Sequence, residues 1–173
     1  MEMTIKNLKA ISAARIRLKD LHTHEDGDGE NLAWSCIVFL KGKRLGSVQD
    51  PGEEKPLSIE IDSIQQVAMV KALKEHGYQL NLEAASQIDA SDTHEYLEQA
   101  LPQMADEVEW FNKAKPLLKS NTLFRIRGDE EGTFRLILAL YNEKTEHALQ
   151  SRFGDQLEAV LKGSPQNSEK IVR

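Results

Sequence analysis

The clearest pattern of apolar and polar positions lies between Ala33 and Val48 and predicts a β-hairpin. In an extended chain, Trp34 and Cys36 point to one side, while Ile37 and Phe39 point to the other. Both faces of this strand are therefore largely apolar, which is typical of a strand with a layer on each side. We expect the strand to be central and covered on two faces.

Glycines mark the turns of two predicted hairpins. Gly42 follows the central strand and supplies the positive φ that a tight turn needs. Farther along, residues 123–127 and 133–141 are apolar runs that flank a glycine-bounded acidic loop. We expect both hairpins to belong to one antiparallel sheet, so that Trp34 and Leu136 share a sheet and a core.

Other short alternating stretches predict additional strands. Residues 4–11 indicate a first strand, and 57–61 indicate a short one after the turn signal Asp50-Pro51-Gly52. Residues 15–21 alternate more clearly, with two interpretations open. They form a second strand, or they continue the first one beyond a bulge near Ala13-Ala14.

Spacings of three and four residues predict the helices. A helix over 63–76 begins at an N-cap, Asp62 or Ser63, and a helix over 92–115 is interrupted or restarted at Pro102. The next is expected over 142–152 with Ala148 and Leu149 facing inward, and a further helical turn or two after Asp155.

The order of strands, helices, strands and helix predicts an α+β fold, with an antiparallel sheet built from two β-hairpins and helices packed on it. A length of 173 residues suits one domain with its own core. We assign residues 1–162 to a single domain. Residues 163–173 are polar and are expected to form a frayed tail.

Composition indicates the class of protein and the compartment in which it works. An apolar fraction of 40% and a charged fraction of 29% are typical of globular proteins, and no apolar run approaches the length of a membrane span. The start of the chain lacks the apolar core of a secretory signal. Cys36 is the only cysteine, which excludes an internal disulfide and a C-x-x-C site, and we interpret it as a buried core residue. These features predict a cytoplasmic protein.

The middle of the chain is strongly acidic. The net charge is −6, and residues 75–112 contain nine acidic residues and no lysine or arginine. Five of these acids recur at helical spacing and are our candidate partner-binding residues: Asp92, Glu95, Glu98, Asp106 and Glu109. They predict a negative helical face, which either occupies a partner's basic nucleic-acid groove or only keeps the protein in solution.

The sequence gives less support for a catalytic site than for a binding surface. His22 and His24 recur at a spacing of two within an acidic loop predicted over 22–31, so they are candidate ligands of a metal-dependent hydrolase. A hydrated loop explains the same residues without a metal. His94 and Glu98 are helical neighbours, but they lack the second histidine of a zinc-protease motif. We therefore predict no cofactor and favour binding over catalysis.

The first 24 residues carry five basic side chains, and the predicted strands give some of them a common face. Few aromatic residues accompany them in the sequence, and stacking on aromatic rings is usual where proteins bind single strands. We interpret these charges as solvated and expect no direct nucleic-acid binding.

Three segments together resemble a loose family of small uncharacterised proteins encoded by phages and bacterial genomes: LKGKRLGSV, LFRIRGDEEGTFRLI and RFGDQL. The most specific pieces are Gly42, Gly46 and the turn Phe153-Gly154-Asp155. This resemblance implies a phage or mobile-element context and no particular site. We therefore expect a non-catalytic intracellular interaction factor that binds a host or defence protein through its acidic helical face.

Overall fold

The computed structural model describes residues 2–25, 32–52, 55–81, 92–129 and 133–161. Its elements, in chain order, are α1 (Glu2–Ala13), β1 (Ile16–Glu25), β2 (Leu32–Leu40), β3 (Lys43–Asp50), β4 (Ser58–Ile61), α2 (Ser63–Glu75), α3 (Thr93–Leu117), β5 (Thr122–Ile126), β6 (Arg135–Ile137), α4 (Glu143–Phe153), a 3₁₀ turn (Gly154–Gln156) and β7 (Leu157–Leu161). Helices and antiparallel sheets confirm the α+β class.

The chain divides into two compact units. The larger unit is Lys6–Val108, and the smaller unit comprises Met1–Ile5 and Glu109–Arg173. Each unit has its own antiparallel sheet, with the orders β1-β2-β3-β4 and β6-β5-β7. The expectation of one sheet containing both hairpins is therefore wrong: Trp34 lies in the first sheet and Leu136 in the second. The single domain over 1–162 stays a prediction.

The larger unit is a four-stranded meander with helices on one face. Trp34, Cys36 and Val38 of β2 are buried in a core that α1, α2 and α3 complete. This confirms that the predicted helix over 63–76, and 92–108 of the next one, pack on a sheet. The opposite face of β2 is only half-buried, so the predicted cover on two sides is wrong.

The central hairpin forms as predicted, with Gly42 at a φ of +84°. Strand β1 confirms the alternation over 15–21, and its neighbour Ala13 ends a helix rather than a strand or bulge. The strand predicted over 4–11 is thus wrong. Ile5, Leu8 and Ile11 recur every three residues, which places them on one side of a helix but on alternating faces of a strand, so this spacing favours helix α1.

Helix α2 begins at a predicted cap. The side chain of Asp62 accepts a hydrogen bond from the backbone N–H of Ile64 at 2.9 Å, and α2 follows. Helix α3 continues through Pro102 without interruption to Leu117, unlike the predicted break. A proline removes one backbone donor, and the remaining bonds and the packing of a helix of 25 residues are sufficient to continue it.

In the smaller unit, strand β5 lies between β6 and β7. Ala114, Leu118 and Leu123 form its core, and the rings of Trp110 and Phe134 pack with centroids 4.9 Å apart. The second hairpin is confirmed by the pairing of β5 with β6.

Helix α4 confirms the prediction over 142–152, with Asn142 as its N-cap. Leu149 is buried as predicted, whereas Ala148 is exposed and that prediction is wrong. The turns expected after Asp155 are also wrong, because the chain forms a short 3₁₀ turn and then strand β7. Pairing with β5 overrides the helical preference of Leu157–Leu161.

Candidate functional site

The acidic residues of the candidate site begin at the N-terminus of α3. Asp92 is exposed, and its side chain accepts hydrogen bonds from the backbone N–H groups of His94 at 2.8 Å and Glu95 at 3.1 Å. These contacts satisfy two donors that a helix start leaves unpaired. Asp92 therefore has a structural role at the helix start as well as a charge at the surface.

Three further acids lie on one side of α3. Glu95 and Asp106 are exposed and Glu98 is half-buried, while Leu97, Leu101 and Met104 lie fully buried on the opposite side. A helix turns by about 100° per residue, which brings positions 95, 98 and 106 within one narrow stripe. We call Asp92, Glu95, Glu98 and Asp106 the acidic face. Nε2 of His94 lies 3.5 Å from Glu98 Oε1 within this face.

Glu109, the fifth candidate, belongs to the smaller unit. Its carboxylate lies 2.8 Å from Nζ of Lys113, one turn farther along α3, and its side chain is 26% exposed. This pairing offsets the negative charge of Glu109. We therefore leave Glu109 out of the acidic face.

One acid of the same segment is not at the surface at all. Glu107 is buried, and its Oε1 accepts hydrogen bonds from Asn7 Nδ2 at 2.8 Å and Gln103 Nε2 at 3.2 Å. The hydroxyl of Tyr78 donates to Oε2 at 3.2 Å. Burial raises the pKa of this carboxyl to about 7, although the three hydrogen bonds oppose the shift.

Sequence reasoning missed this carboxyl, and the signal was available. Met104, Glu107 and Phe111 follow one another at spacings of three and four, so Glu107 occupies an apolar position of the helical pattern. A charged residue in such a stripe predicts a buried, hydrogen-bonded group. The network belongs to the core of the larger unit, and it holds Asn7 of α1 against the backbone of Gln79 through two hydrogen bonds.

The histidines of the hydrolase alternative lie on β1, which continues to Glu25, so the loop predicted from His22 onward is wrong over 22–25. His22 pairs with Ser35 and His24 with Ala33 in the antiparallel ladder. The acidic loop over 26–31 lies outside the described residues. Among the residues that the structure describes, no group of three histidine, cysteine or acidic side chains is arranged to hold a metal ion.

Cys36 is confirmed as a core residue. It is buried between the sheet and the helices, and burial raises the pKa of its thiol to about 12. A thiol with such a pKa is protonated at neutral pH and is a poor nucleophile.

The open face of the first sheet carries a depression of about 250 Å³. Cross-strand pairing aligns His22, Ser35, Gln49 and Ser58 in one row across the four strands. Paired residues project from the same face, so this row lines the depression with amide, hydroxyl and imidazole groups. The sequence did not predict this surface, because register across four strands is a long-range property.

Comparisons with family models, curated proteins and solved structures found no match to the chain. In the part of the chain that the structure describes, none of the helices has the length and apolar character needed to cross a membrane.

Proposed function

We propose that this chain is a non-catalytic interaction factor of phage or mobile-element type, which acts inside the cell by docking its acidic face on a basic host or defence protein. The observation that carries the proposal is the arrangement of Glu95, Glu98 and Asp106 on one exposed side of α3, opposite fully buried leucines. A surface that normally contacts the phosphates of nucleic acid has the charge that fits this face.

Charge in the surrounding sequence supports the same proposal. Residues 76–112 contain no lysine or arginine, so this stretch of the sequence is uniformly acidic apart from its histidines. Like charges spaced along a helix produce a negative potential that attracts a basic partner over about a Debye length, which is about 8 Å at physiological ionic strength. The association rate should therefore depend on these charges more than the dissociation rate does.

The first experiment identifies the partner by crosslinking from a defined position on α3. A photo-crosslinking amino acid at Gln99, beside Glu95 and Glu98 on α3, is compared with one at Gln156 in the smaller unit. We expect Gln99 alone to capture a basic protein in the host cell. Equal capture from both positions would contradict a role for the acidic face.

Binding kinetics with the purified partner then test the charges. The variant E95Q/E98Q/D106N should associate about tenfold more slowly at low salt, with a smaller change at high salt. The control E75Q/E143Q/D155N removes three exposed acids elsewhere and has the same net charge. If both variants associate at the same rate, the acidic face only solubilises the protein.

A further inference from the structure

An aromatic residue on the open face of the first sheet has one cation over its ring and two more as cross-strand neighbours. The register pairs Arg17 with Phe39 and Phe39 with Arg44, so these side chains form one row across β1, β2 and β3. Lys19 projects from the same face as Arg17, and its Nζ lies 4.8 Å from the centroid of the Phe39 ring. The topology thus brings together an aromatic side chain and cations that lie up to 27 positions apart in the sequence.

More cations collect at the same end of the sheet. The backbone N–H of Lys41, in the turn of the central hairpin, donates to the carbonyl oxygen of Arg15 at 2.8 Å. This bond ties the turn to the start of β1. Arg15 and Lys41 are exposed there, as are Arg17, Lys19 and Arg44. We call these five cations and Phe39 the basic sheet end.

The acids of this face lie one row farther from the turn than Phe39, in the part of the sheet that Lys19 adjoins. The next row across the sheet pairs Ile37 with Ser47 and Ser47 with Glu60, whose carboxylate accepts a hydrogen bond from the Ser47 hydroxyl at 2.7 Å. Asp20 lines the same depression from the bulge in β1, where its φ is +52°. The face therefore changes from cations at the turn to hydrogen-bonding groups in the depression.

In place of the solvated surface expected from the sequence, we propose that this face binds single-stranded nucleic acid, with the phosphates on the basic sheet end and a base over Phe39. The base replaces the Lys19 ammonium over the ring, and Lys19 moves to the adjoining phosphate. A neighbouring base edge meets the amide and hydroxyl groups of the depression. Cations that track the backbone, combined with an aromatic ring for stacking, are the usual means of binding single strands.

The alternative occupant is an acidic protein segment. Its carboxylates would contact the same cations. It has no nucleobase to stack on Phe39 and no base edge to form hydrogen bonds with the groups of the depression. The nucleic-acid proposal uses a different surface from the acidic face of α3 and does not rest on the proposed function.

The test measures binding of a short fluorescein-labelled oligothymidylate by fluorescence anisotropy over a series of salt concentrations, with poly-glutamate as competitor. We expect R17Q/R44Q to weaken binding by about tenfold and to reduce the slope of log affinity against log salt by about 1.4, since each phosphate contact on a single strand contributes about 0.7. Phe39→Leu keeps an apolar side chain on this face and removes only the ring. It should weaken oligonucleotide binding and leave poly-glutamate binding unchanged.

The control K9Q/K71Q removes two exposed lysines from α1 and α2 and keeps the same net charge as R17Q/R44Q. Circular dichroism checks that every variant is folded. The proposal fails if wild type does not bind the oligonucleotide at low salt, or if the control loses as much affinity as R17Q/R44Q. It also fails, in favour of an acidic protein segment, if poly-glutamate competes equally well and Phe39→Leu has no effect.

Discussion

The side-chain amide of Asn7 donates to the carboxyl of Glu107 across 2.8 Å and a separation of 100 residues. Both side chains are buried, and Tyr78 and Gln103 contribute further hydrogen bonds to the carboxyl. A polar network of this kind stabilises the fold only while each member has its partners. It also makes the core of the larger unit sensitive to pH.

The first prediction concerns that sensitivity. Burial raises the pKa of Glu107 from 4.5 to about 7. Between these values the unfolded chain has released a proton that the folded protein keeps. The contribution of Glu107 to the free energy of unfolding should therefore fall as pH rises through this interval, by up to about 1.4 kcal/mol per pH unit, and level off above it. Urea denaturation at several pH values measures this.

Substitution isolates the carboxyl from all other titrating groups. The free energy of unfolding of Glu107→Gln should rise relative to that of wild type as pH increases from 4.5 to 7, because the amide does not titrate. Glu95→Gln, which changes an exposed carboxyl of the same helix, is the control for the loss of one acid from α3. A curve for Glu107→Gln parallel to that of wild type would show that Glu107 titrates normally.

The second prediction compares two buried tyrosines. Among the described residues, the hydroxyl of Tyr96 is buried without a hydrogen-bond partner, whereas that of Tyr78 donates to Glu107. Tyr96→Phe should raise the free energy of unfolding by about 1 kcal/mol, because it removes an uncompensated desolvation cost. Tyr78→Phe should lower it by about 1–2 kcal/mol. Chemical denaturation measures both, and a destabilised Tyr96→Phe would reveal a partner for that hydroxyl.

Local patterns predicted the central hairpin and helix α2, because period and turn chemistry agree there. They failed at α1, where a loose alternation over 4–11 predicted a strand although Ile5, Leu8 and Ile11 share one side of a helix. The buried Asn7 bonds to Gln79, and no local signal contains that contact. Helix α1 is thus fixed by the core of the larger unit.

The second sheet illustrates the same limit. The pattern over 123–141 predicted a hairpin, which forms, but not that Leu157–Leu161 would add a third strand on the other side of β5. Strand pairing depends on long-range register rather than on composition. For the candidate site, spacing predicted a common side for Glu95, Glu98 and Asp106, and it missed the burial of Glu107 and the pairing of Glu109 with Lys113.

The third prediction concerns the proline inside α3. Pro102 cannot donate the backbone hydrogen bond to residue 98, and a proline in a helix interior costs about 3 kcal/mol. Pro102 is half-buried on the side opposite the fully buried leucines, so an alanine there leaves no large cavity. Pro102→Ala should raise the free energy of unfolding by about 1–3 kcal/mol in thermal or urea melts.

Replacement of a second proline should change the stability in the opposite direction. Pro56 is exposed and lies before β4, outside the helices. Pro56→Ala should lower stability by about 0.5 kcal/mol, because the unfolded chain gains freedom. If Pro102→Ala also destabilises, the proline must make packing contacts in α3 that exceed its backbone cost.

The last prediction concerns the approach of β4 to β3. A Cβ built on Gly46 would lie 1.8 Å from the carbonyl oxygen of Glu60 and 3.1 Å from Cγ1 of Ile61. The first of these atoms belongs to the backbone of the paired strand and cannot rotate away. Gly46→Ala should therefore destabilise the protein by about 3 kcal/mol or more, with faster hydrogen exchange along β4 as that strand separates.

Gly42→Ala is the matched control, because it adds the same methyl group to the same hairpin. Gly42 has a φ of +84°, and a methyl group added there would meet no atom within 4 Å, so only the backbone conformation resists the change. Its cost should be about 1 kcal/mol, without a change in exchange along β4. Equal costs at the two glycines would contradict the close approach of Gly46 to Glu60, and with it the place of β4 at the edge of the first sheet.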